Sequence, residues 1–159
     1  MKPAFDFISR EDKPALIAFS TPAWMETAKA ALEELGYKVH TAATQSDFLI
    51  RFNQARYQVV LLEELFGANI PDENIALKTL QQMSGSQRRH ATVILIGNAF
   101  QTFAPMEAFK QSVHAVINSS ELFMLSQLVE KAVNDNLAFY QTFHDAENRV
   151  LTSETRDRL

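Results

Sequence analysis

Four polar residues stand where they could bind a small anion. Ser20 and Thr21 follow one apolar run, and Asn118 and Ser119 follow another, each just before a segment of helical period. The N-terminus of a helix presents unpaired backbone N–H groups that favour anions. The same side chains are also ordinary helix caps. The sequence therefore leaves an anion site and simple capping both open.

Other signatures of catalysis or metal binding are missing from the sequence. The chain has no cysteine, which excludes a disulfide, a thiolate nucleophile, a zinc ribbon and an iron–sulfur cluster within it. It contains no GxGxxG, P-loop or GxSxG motif. The four histidines fall on different predicted elements; they are His40, His90, His114 and His144. We therefore expect no metal site built from histidine.

The charge balance argues against nucleic acid and membranes as partners. Among 159 residues, 15 Lys and Arg against 19 Asp and Glu give a net charge of −4, so no global field attracts a polyanion. The one basic cluster, Arg88-Arg89-His90, is too small for a nucleic-acid interface and is expected to be a solvated turn. No apolar run approaches the roughly 18 residues of a membrane span. We expect a cytoplasmic protein.

Short apolar runs alternate with longer amphipathic segments, which is typical of βα units that build a parallel sheet. The predicted strands are Ala15–Phe19, Lys38–Ala42, Gln58–Leu62, Ala91–Ile96 and Val113–Ile117. The predicted helices are Pro22–Leu35, one capped by Thr44, one around residues 75–83, Phe100–Gln111, and one capped by Ser119 or Ser120. Such a sheet binds ligands beyond the carboxyl ends of its strands. Ser20, Thr21, Asn118 and Ser119 all follow predicted strands, so we expect them at this edge of the sheet.

The last predicted helix is longer than the sheet can cover. No Gly or Pro occurs after residue 120, whereas about four turns span one side of a small sheet. Phe139, Tyr140 and Phe143 therefore pass beyond the sheet, and each exposed ring forfeits about 1.5–3 kcal/mol. A second chain or the N-terminal apolar residues should cover them. Those residues are Phe5, Phe7 and Ile8.

Three segments resemble response-regulator receiver domains. Thr21–Tyr37 matches their first helix without a gap, Tyr57–Glu63 is similar to their third strand, and Thr92–Ile96 to their fourth. The resemblance implies a flavodoxin-like (βα)5 receiver-type fold, an α/β doubly wound parallel sheet, here with an extended C-terminal helix. The predicted organisation is a connector at 1–12, a receiver-like domain at 13–134, a helix extension at 135–150 and a polar tail at 151–159.

In a receiver domain, an aspartate at the end of the third strand accepts a phosphoryl group. The reaction uses a divalent metal held partly by two acids after the first strand. A hydroxyl residue and a lysine, after strands four and five, contact the phosphoryl group. By resemblance these positions are Phe19 and Ser20 for the acids, Glu63 for the acceptor, Gly97 for the hydroxyl and Asn118 for the lysine. Phe19 and Ser20 offer no carboxylate to a divalent cation. The resemblance therefore implies a pseudo-receiver without metal, cofactor, phosphorylation or enzymatic activity.

Glu63 allows two interpretations. As a permanent negative charge it could imitate a phosphorylated receiver. It could equally be a solvated loop carboxylate without function, and a shift of one residue in the comparison would put Glu64 at the same position.

Self-association is the activity that the sequence favours. The face formed by the fourth helix, fifth strand and fifth helix is one through which receiver domains commonly dimerise, and large apolar patches mark interaction sites. We expect a homodimer or a protein partner there, through residues that include Phe103, Phe109, Leu137, Phe139, Tyr140 and Phe143. The alternative is a sensor of a small ligand or anion at the strand ends. A regulator in which Glu63 fixes one conformation is a third possibility.

Overall fold

Five strands form one parallel sheet in the computed structural model, which describes residues 8–83 and 91–157, without the side chains of 143–144, 147–148 and 151–157. They are β1 (Pro14–Ala18), β2 (Lys38–Ala42), β3 (Val59–Glu63), β4 (Thr92–Gly97) and β5 (Ala115–Asn118). Their order across the sheet is β2-β1-β3-β4-β5. The predicted α/β fold with a doubly wound parallel sheet is confirmed.

Within residues 8–83 and 91–157, five α-helices connect and cover the strands. They are α1 (Pro22–Glu34), α2 (Gln45–Gln54), α3 (Ile75–Gln82), α4 (Pro105–Gln111) and α5 (Leu125–Asp157). Short 3-10 turns at Pro71–Glu73 and Ser119–Met124 precede α3 and α5. No helix of the described residues is both long enough and apolar enough to cross a membrane.

The sheet separates two apolar clusters, as expected for strands buried on both faces. One cluster joins the sheet to α1 and α5, with Leu32 and Val129 fully buried. The other joins it to α2, α3 and α4, with Phe48 and Leu80 fully buried. Ile8 packs against this second cluster. It therefore lies on the face of the sheet opposite α5 and does not cover that helix, while Phe5 and Phe7 lie outside the described residues.

Small boundary differences have physical causes, and one of them affects the site. Pro14 opens β1 because its carbonyl still accepts a hydrogen bond from the N–H of Gln58 at 2.8 Å, and a first strand position tolerates proline. β3 correspondingly runs one residue further than predicted and ends at Glu63. Glu63 is therefore the last residue of a buried strand rather than the first of a loop.

The predicted fourth helix is shorter than expected, because it begins at Pro105 instead of Phe100. Proline suits the first helical position, where its missing N–H is not needed. Before it, Phe103 has a φ of 61° and donates its N–H to the carbonyl of Val116 at 2.9 Å. The segment before Pro105 is therefore a turn tied to β5.

Candidate functional site

The candidate site lies at the carboxyl ends of β1 and β3. These strands are neighbours, with Ala18 paired with Leu62, while β2 flanks β1 on its other side. The strand order therefore reverses at β1 and β3, and doubly wound sheets bind ligands at such a topological switch point. The residues that follow the two strands, Ser20 and Thr21 after β1 and Glu63 at the end of β3, consequently meet.

The carboxylate of Glu63 is held by three donors from the turn after β1. Its Oε2 accepts the Ser20 N–H at 3.1 Å and the Ser20 hydroxyl at 2.6 Å. Its Oε1 accepts the Thr21 hydroxyl at 2.6 Å. The side chain is only 5% exposed, so these bonds replace the water that the charge would otherwise bind. The N–H of Gly67 in turn donates to the Ser20 hydroxyl at 3.3 Å.

This geometry excludes one of the two alternatives that the sequence left open for Glu63 and one of the two for the hydroxyls. Glu63 is not a solvated loop carboxylate, because burial and three hydrogen bonds surround it. The hydroxyls of Ser20 and Thr21 do not cap α1 either, since Thr21 occupies the N-cap position without a capping bond. The buried carboxylate attracts both hydroxyls more strongly than neutral backbone N–H groups do. Pro22, as predicted, occupies the start of α1.

A buried asparagine that sequence reasoning missed holds the end of β3. The Asn74 amide donates to the carbonyls of Glu63 at 3.0 Å and Glu64 at 2.9 Å. Its Oδ1 accepts the N–H of Leu77 at 3.1 Å and so caps α3. Asn74 is fully buried. The available signal was an asparagine placed directly before the apolar repeat of α3, a frequent N-cap arrangement.

Gly97, at the position of the receiver hydroxyl, is closely approached by two side chains. A Cβ built there would lie 3.0 Å from Oε1 of Glu64 and 3.0 Å from the Phe100 ring. Phe100 is 3% exposed and packed in the core. A side chain at residue 97 would therefore require both neighbours to shift.

Asn118, at the position of the receiver lysine, forms hydrogen bonds with the segment after β4 and with the turn that follows β5. Its amide donates to the carbonyls of Phe100 at 2.7 Å and Asn98 at 3.3 Å, and its Oδ1 accepts the N–H of Ser120 at 2.9 Å. Asn118, rather than the predicted Ser119 or Ser120, is thus the cap of the final helical segment. The Ser119 hydroxyl instead bonds to the side chain of Asn98.

An open cleft of about 350 Å³ adjoins these residues. Its walls combine the turn after β1, the end of β3 and the loop after β4; they include Trp24, Leu65, Ile96 and Ala99 beside Ser20, Thr21, Glu63 and Glu64. Two carboxylates therefore border the cleft. An anion would meet negative charge there, which disfavours the anion site considered from the sequence.

Phe19, His40 and His114 each have other contacts in the structure. Phe19 is buried and its ring meets Trp24 edge to face at 6.4 Å. Among the described residues, no three of His, Asp and Glu are grouped as metal ligands. His40 bonds to the hydroxyl of Tyr57 at 2.8 Å, and His114 accepts the N–H of Val93 at 2.9 Å. Residues 88–90 and the side chain of His144 lie outside the described part.

Glu64 provides a prediction for the pH dependence of stability. Burial raises its pKa, and the negative charge of Glu107 raises it further. A carboxyl group whose pKa rises on folding favours the folded state at acid pH, and this contribution is lost as the pH increases through the raised pKa. Glu64→Gln removes the buried charge, so we expect a higher melting temperature near pH 7. The gain is below about 1 kcal/mol because solvent screens the partly exposed group.

Thermal denaturation of both proteins near pH 7 and below about pH 4 measures this effect. The difference between them should shrink at acid pH, where Glu64 is protonated. Glu33→Gln, on the exposed face of α1, is the matched control and should not stabilise the protein. Equal changes in melting temperature for Glu64→Gln and Glu33→Gln would show that the stabilisation does not come from the surroundings of Glu64.

The predicted interface residues differ in their exposure. Phe109 (81% exposed) and Phe139 (65%) lie in solvent. The ring centres of Phe139 and the half-buried Tyr140 are 5.5 Å apart.

The remaining interface residues are in other surroundings. Phe103 is partly buried against the core, with Nζ of Lys131 5.0 Å from its ring centre. Leu137 is 62% exposed and borders a separate pocket with Tyr37 of the α1 side. The side chain of Phe143 lies outside the described part, although its backbone is helical.

No protein-family model matches the sequence, and no curated protein matches it. Solved structures do match the fold. A CheY-like response regulator receiver domain protein from Methanospirillum hungatei JF-1 aligns with a TM-score of 0.61 and 18% identity, over 80% of this chain and 98% of that one. A putative response regulator from Chloroflexus aurantiacus J-10-fl gives 0.62 and 16%, over 78% and 99%. The receiver domain of the Francisella response regulator 1452 gives 0.60 and 18%, over 78% and 98%. The chain therefore has the CheY-like, flavodoxin-like receiver fold.

Proposed function

We propose that this protein is a pseudo-receiver: a non-catalytic, cytoplasmic protein-interaction module of bacterial-type signalling or regulation that works without phosphorylation. The observation that carries the proposal is the set of hydrogen bonds from Ser20 and Thr21 to Glu63. At the two positions where receiver domains have acids that bind a metal, this chain has Phe19, which offers no oxygen ligand, and Ser20, whose N–H and hydroxyl bind the carboxylate itself. Thr21, the next residue, supplies the third donor. The charge at the end of β3 is thereby stabilised by the protein alone.

The surrounding residues support the same proposal. A phosphoryl group on Glu63 would need a cationic partner besides the Ser20 and Thr21 hydroxyls, whereas Gly97 carries no side chain and the neutral Asn118 is occupied with backbone carbonyls. Phosphorylation would also displace the three donors that Glu63 already has. We infer that Glu63 acts as a structural tie that keeps the turn after β1 and the end of β3 in one arrangement.

Exposed apolar side chains provide surfaces for an interaction. Four of the largest are Met106 and Phe109 on α4, Phe123 before α5, and Phe139 on α5, which are 76%, 81%, 81% and 65% exposed. Large apolar side chains exposed together mark sites of protein association. The proposed activity is therefore binding through the α4 and α5 side of the domain.

Incubation with acetyl phosphate and Mg²⁺ tests the proposal. We expect the intact mass and the light-scattering mass of the protein to remain unchanged, while a phosphorylatable receiver domain treated in parallel gains one phosphoryl group. A phosphoryl adduct on this chain, or association that requires acetyl phosphate and Mg²⁺, would exclude a phosphorylation-independent module.

A second candidate function, a small-ligand sensor, is supported by the cleft at the strand ends. Its apolar walls at Trp24, Leu65 and Ile96 lie beside the carboxyl groups of Glu63 and Glu64. This combination suits a ligand with an apolar body and a hydrogen-bond donor or positive charge. A thermal-shift screen of amines and neutral metabolites tests it, since a ligand that binds only the folded state raises the melting temperature.

A further inference from the structure

Helix α5 carries a mainly apolar repeat with alternating spacings of four and three residues. Its members are Leu125, Val129, Ala132, Asn136, Phe139, Phe143, Ala146 and Val150. The mean spacing is that of the heptad repeat by which two helices wind around each other. Asn136 is the one polar member. The repeat therefore predicts a continuous stripe along most of the helix.

The first half of this stripe already has a partner within the chain. Leu125, Val129 and Ala132 are buried against the sheet. The side chain of Asn136 donates to the hydroxyl of Thr92 in β4 at 2.9 Å. Contact between the stripe and the sheet thus extends as far as Asn136.

The second half continues beyond the sheet and is largely exposed where its side chains are described. Phe139 is 65% exposed and Val150 is 58% exposed, although both belong to the same repeat as the buried members. The α-helix runs on to Asp157, so about 30 Å of it follows Asn136. Exposed apolar side chains at this spacing are costly in water, and a coiled-coil partner would bury them.

A second copy of this helix fits the stripe better than another occupant. Ile8 packs on the other face of the sheet, so it does not cover the extension. In the heptad numbering Phe143 and Val150 take position a, which places Arg149 at g and Glu154 at the following e. In a parallel pair, residues at g and at the next e of the partner helix are neighbours. Each Arg149 would then meet an opposite charge on the other helix.

We propose that residues 137–154 of α5 form a parallel two-stranded coiled coil with the same segment of a second copy of this chain. The proposal specifies the partner of the interaction module proposed above. It rests on that proposed function, but a different result would overturn it. A protein that is monomeric and is not phosphorylated would exclude the coiled coil and leave the proposed function in place.

Two matched variants test the seam. Phe139→Glu places a charge in the seam, whereas Ile50→Glu places it on α2, where an apolar side chain that is 51% exposed lies outside the proposed binding surface. By sedimentation velocity the unmodified protein should be a dimer, Phe139→Glu should raise the dissociation constant by about 100-fold or more, and Ile50→Glu should leave it unchanged. A monomeric or trimeric unmodified protein, or dissociation by Ile50→Glu alone, would overturn the proposal.

Cysteine cross-linking tests the parallel orientation, because the chain has no cysteine of its own. Ala146 belongs to the seam at position d, where identical residues of parallel helices are adjacent. Ala146→Cys should therefore form a disulfide-linked dimer under mild oxidation. Ala138→Cys, at an outward position on the same helix, should not. Equal cross-linking of both variants, or none at 146, would contradict a parallel pair.

Discussion

Asn74→Ala is expected to lower the free energy of unfolding by about 3 kcal/mol, one of the largest effects of any polar substitution in this protein. The change removes the N-cap bond to Leu77, typically worth about 1 kcal/mol. It also leaves the carbonyls of Glu63 and Glu64 without the amide that they share, and an unsatisfied buried acceptor costs about 1–3 kcal/mol. Urea denaturation measures the loss.

Asn74→Asp separates the two parts of this effect. Aspartate still accepts the N–H of Leu77, but its carboxylate replaces the donating amide and faces two carbonyl oxygens. At neutral pH we therefore expect it to destabilise the protein at least as much as alanine does. Asn53→Ala, on the exposed face of α2, is the control and should cost less than about 0.5 kcal/mol. If Asn74→Asp were harmless, the amide contacts would be unimportant.

Glu63→Ala is expected to cost about 2–3 kcal/mol. Hydrogen bonds to a charged acceptor contribute more than neutral ones, and alanine removes three of them at once. Glu63→Gln should cost about 1 kcal/mol. Its carbonyl oxygen can still accept from Ser20, and its amide can donate to the rotatable hydroxyl of Thr21. Urea denaturation should therefore give a larger loss in the free energy of unfolding for Glu63→Ala than for Glu63→Gln.

Glu33→Ala is the control for Glu63, since Glu33 is an exposed glutamate on α1. It should change the free energy of unfolding by less than about 0.5 kcal/mol. If Glu63→Ala had an effect as small as that, the turn after β1 would not depend on the carboxylate, and Glu63 would have no role as a tie.

The fold could be predicted because its signals are local and repeated. Each strand is a continuous apolar run, and the helices between them have apolar residues at three- and four-residue spacing, so five βα units were visible in order. Boundaries were less certain where proline was involved. Pro14 extends β1 because its carbonyl accepts the N–H of Gln58, and α4 begins only at Pro105 because Phe103, before it, is bonded to Val116 of β5. The sequence does not show that these strands are near.

The site was predicted in position but not in its bonding. Sequence reasoning placed Ser20, Thr21 and Glu63 at one edge of the sheet. It considered the hydroxyls only as helix caps or as anion ligands, and Glu63 only as a solvated carboxylate or as an imitation of a phosphorylated residue. The acceptor to which each hydroxyl donates depends on the register between β1 and β3. Because β3 ends one residue later than predicted, Glu63 lies at a buried strand end and not in a loop. Asn74 was missed because its two carbonyl partners are set by the fold, not by spacing.

The most direct test of the account is a Mg²⁺ titration followed by the fluorescence of Trp24. Trp24 is the single tryptophan of the chain and lines the cleft beside Glu63, so that a cation bound there would change its surroundings. Because Ser20 and Thr21 already satisfy Glu63 and no second carboxylate follows β1, we expect no saturable change up to millimolar Mg²⁺. A saturable change that EDTA reverses would contradict the central claim that hydrogen bonds stand in place of the metal.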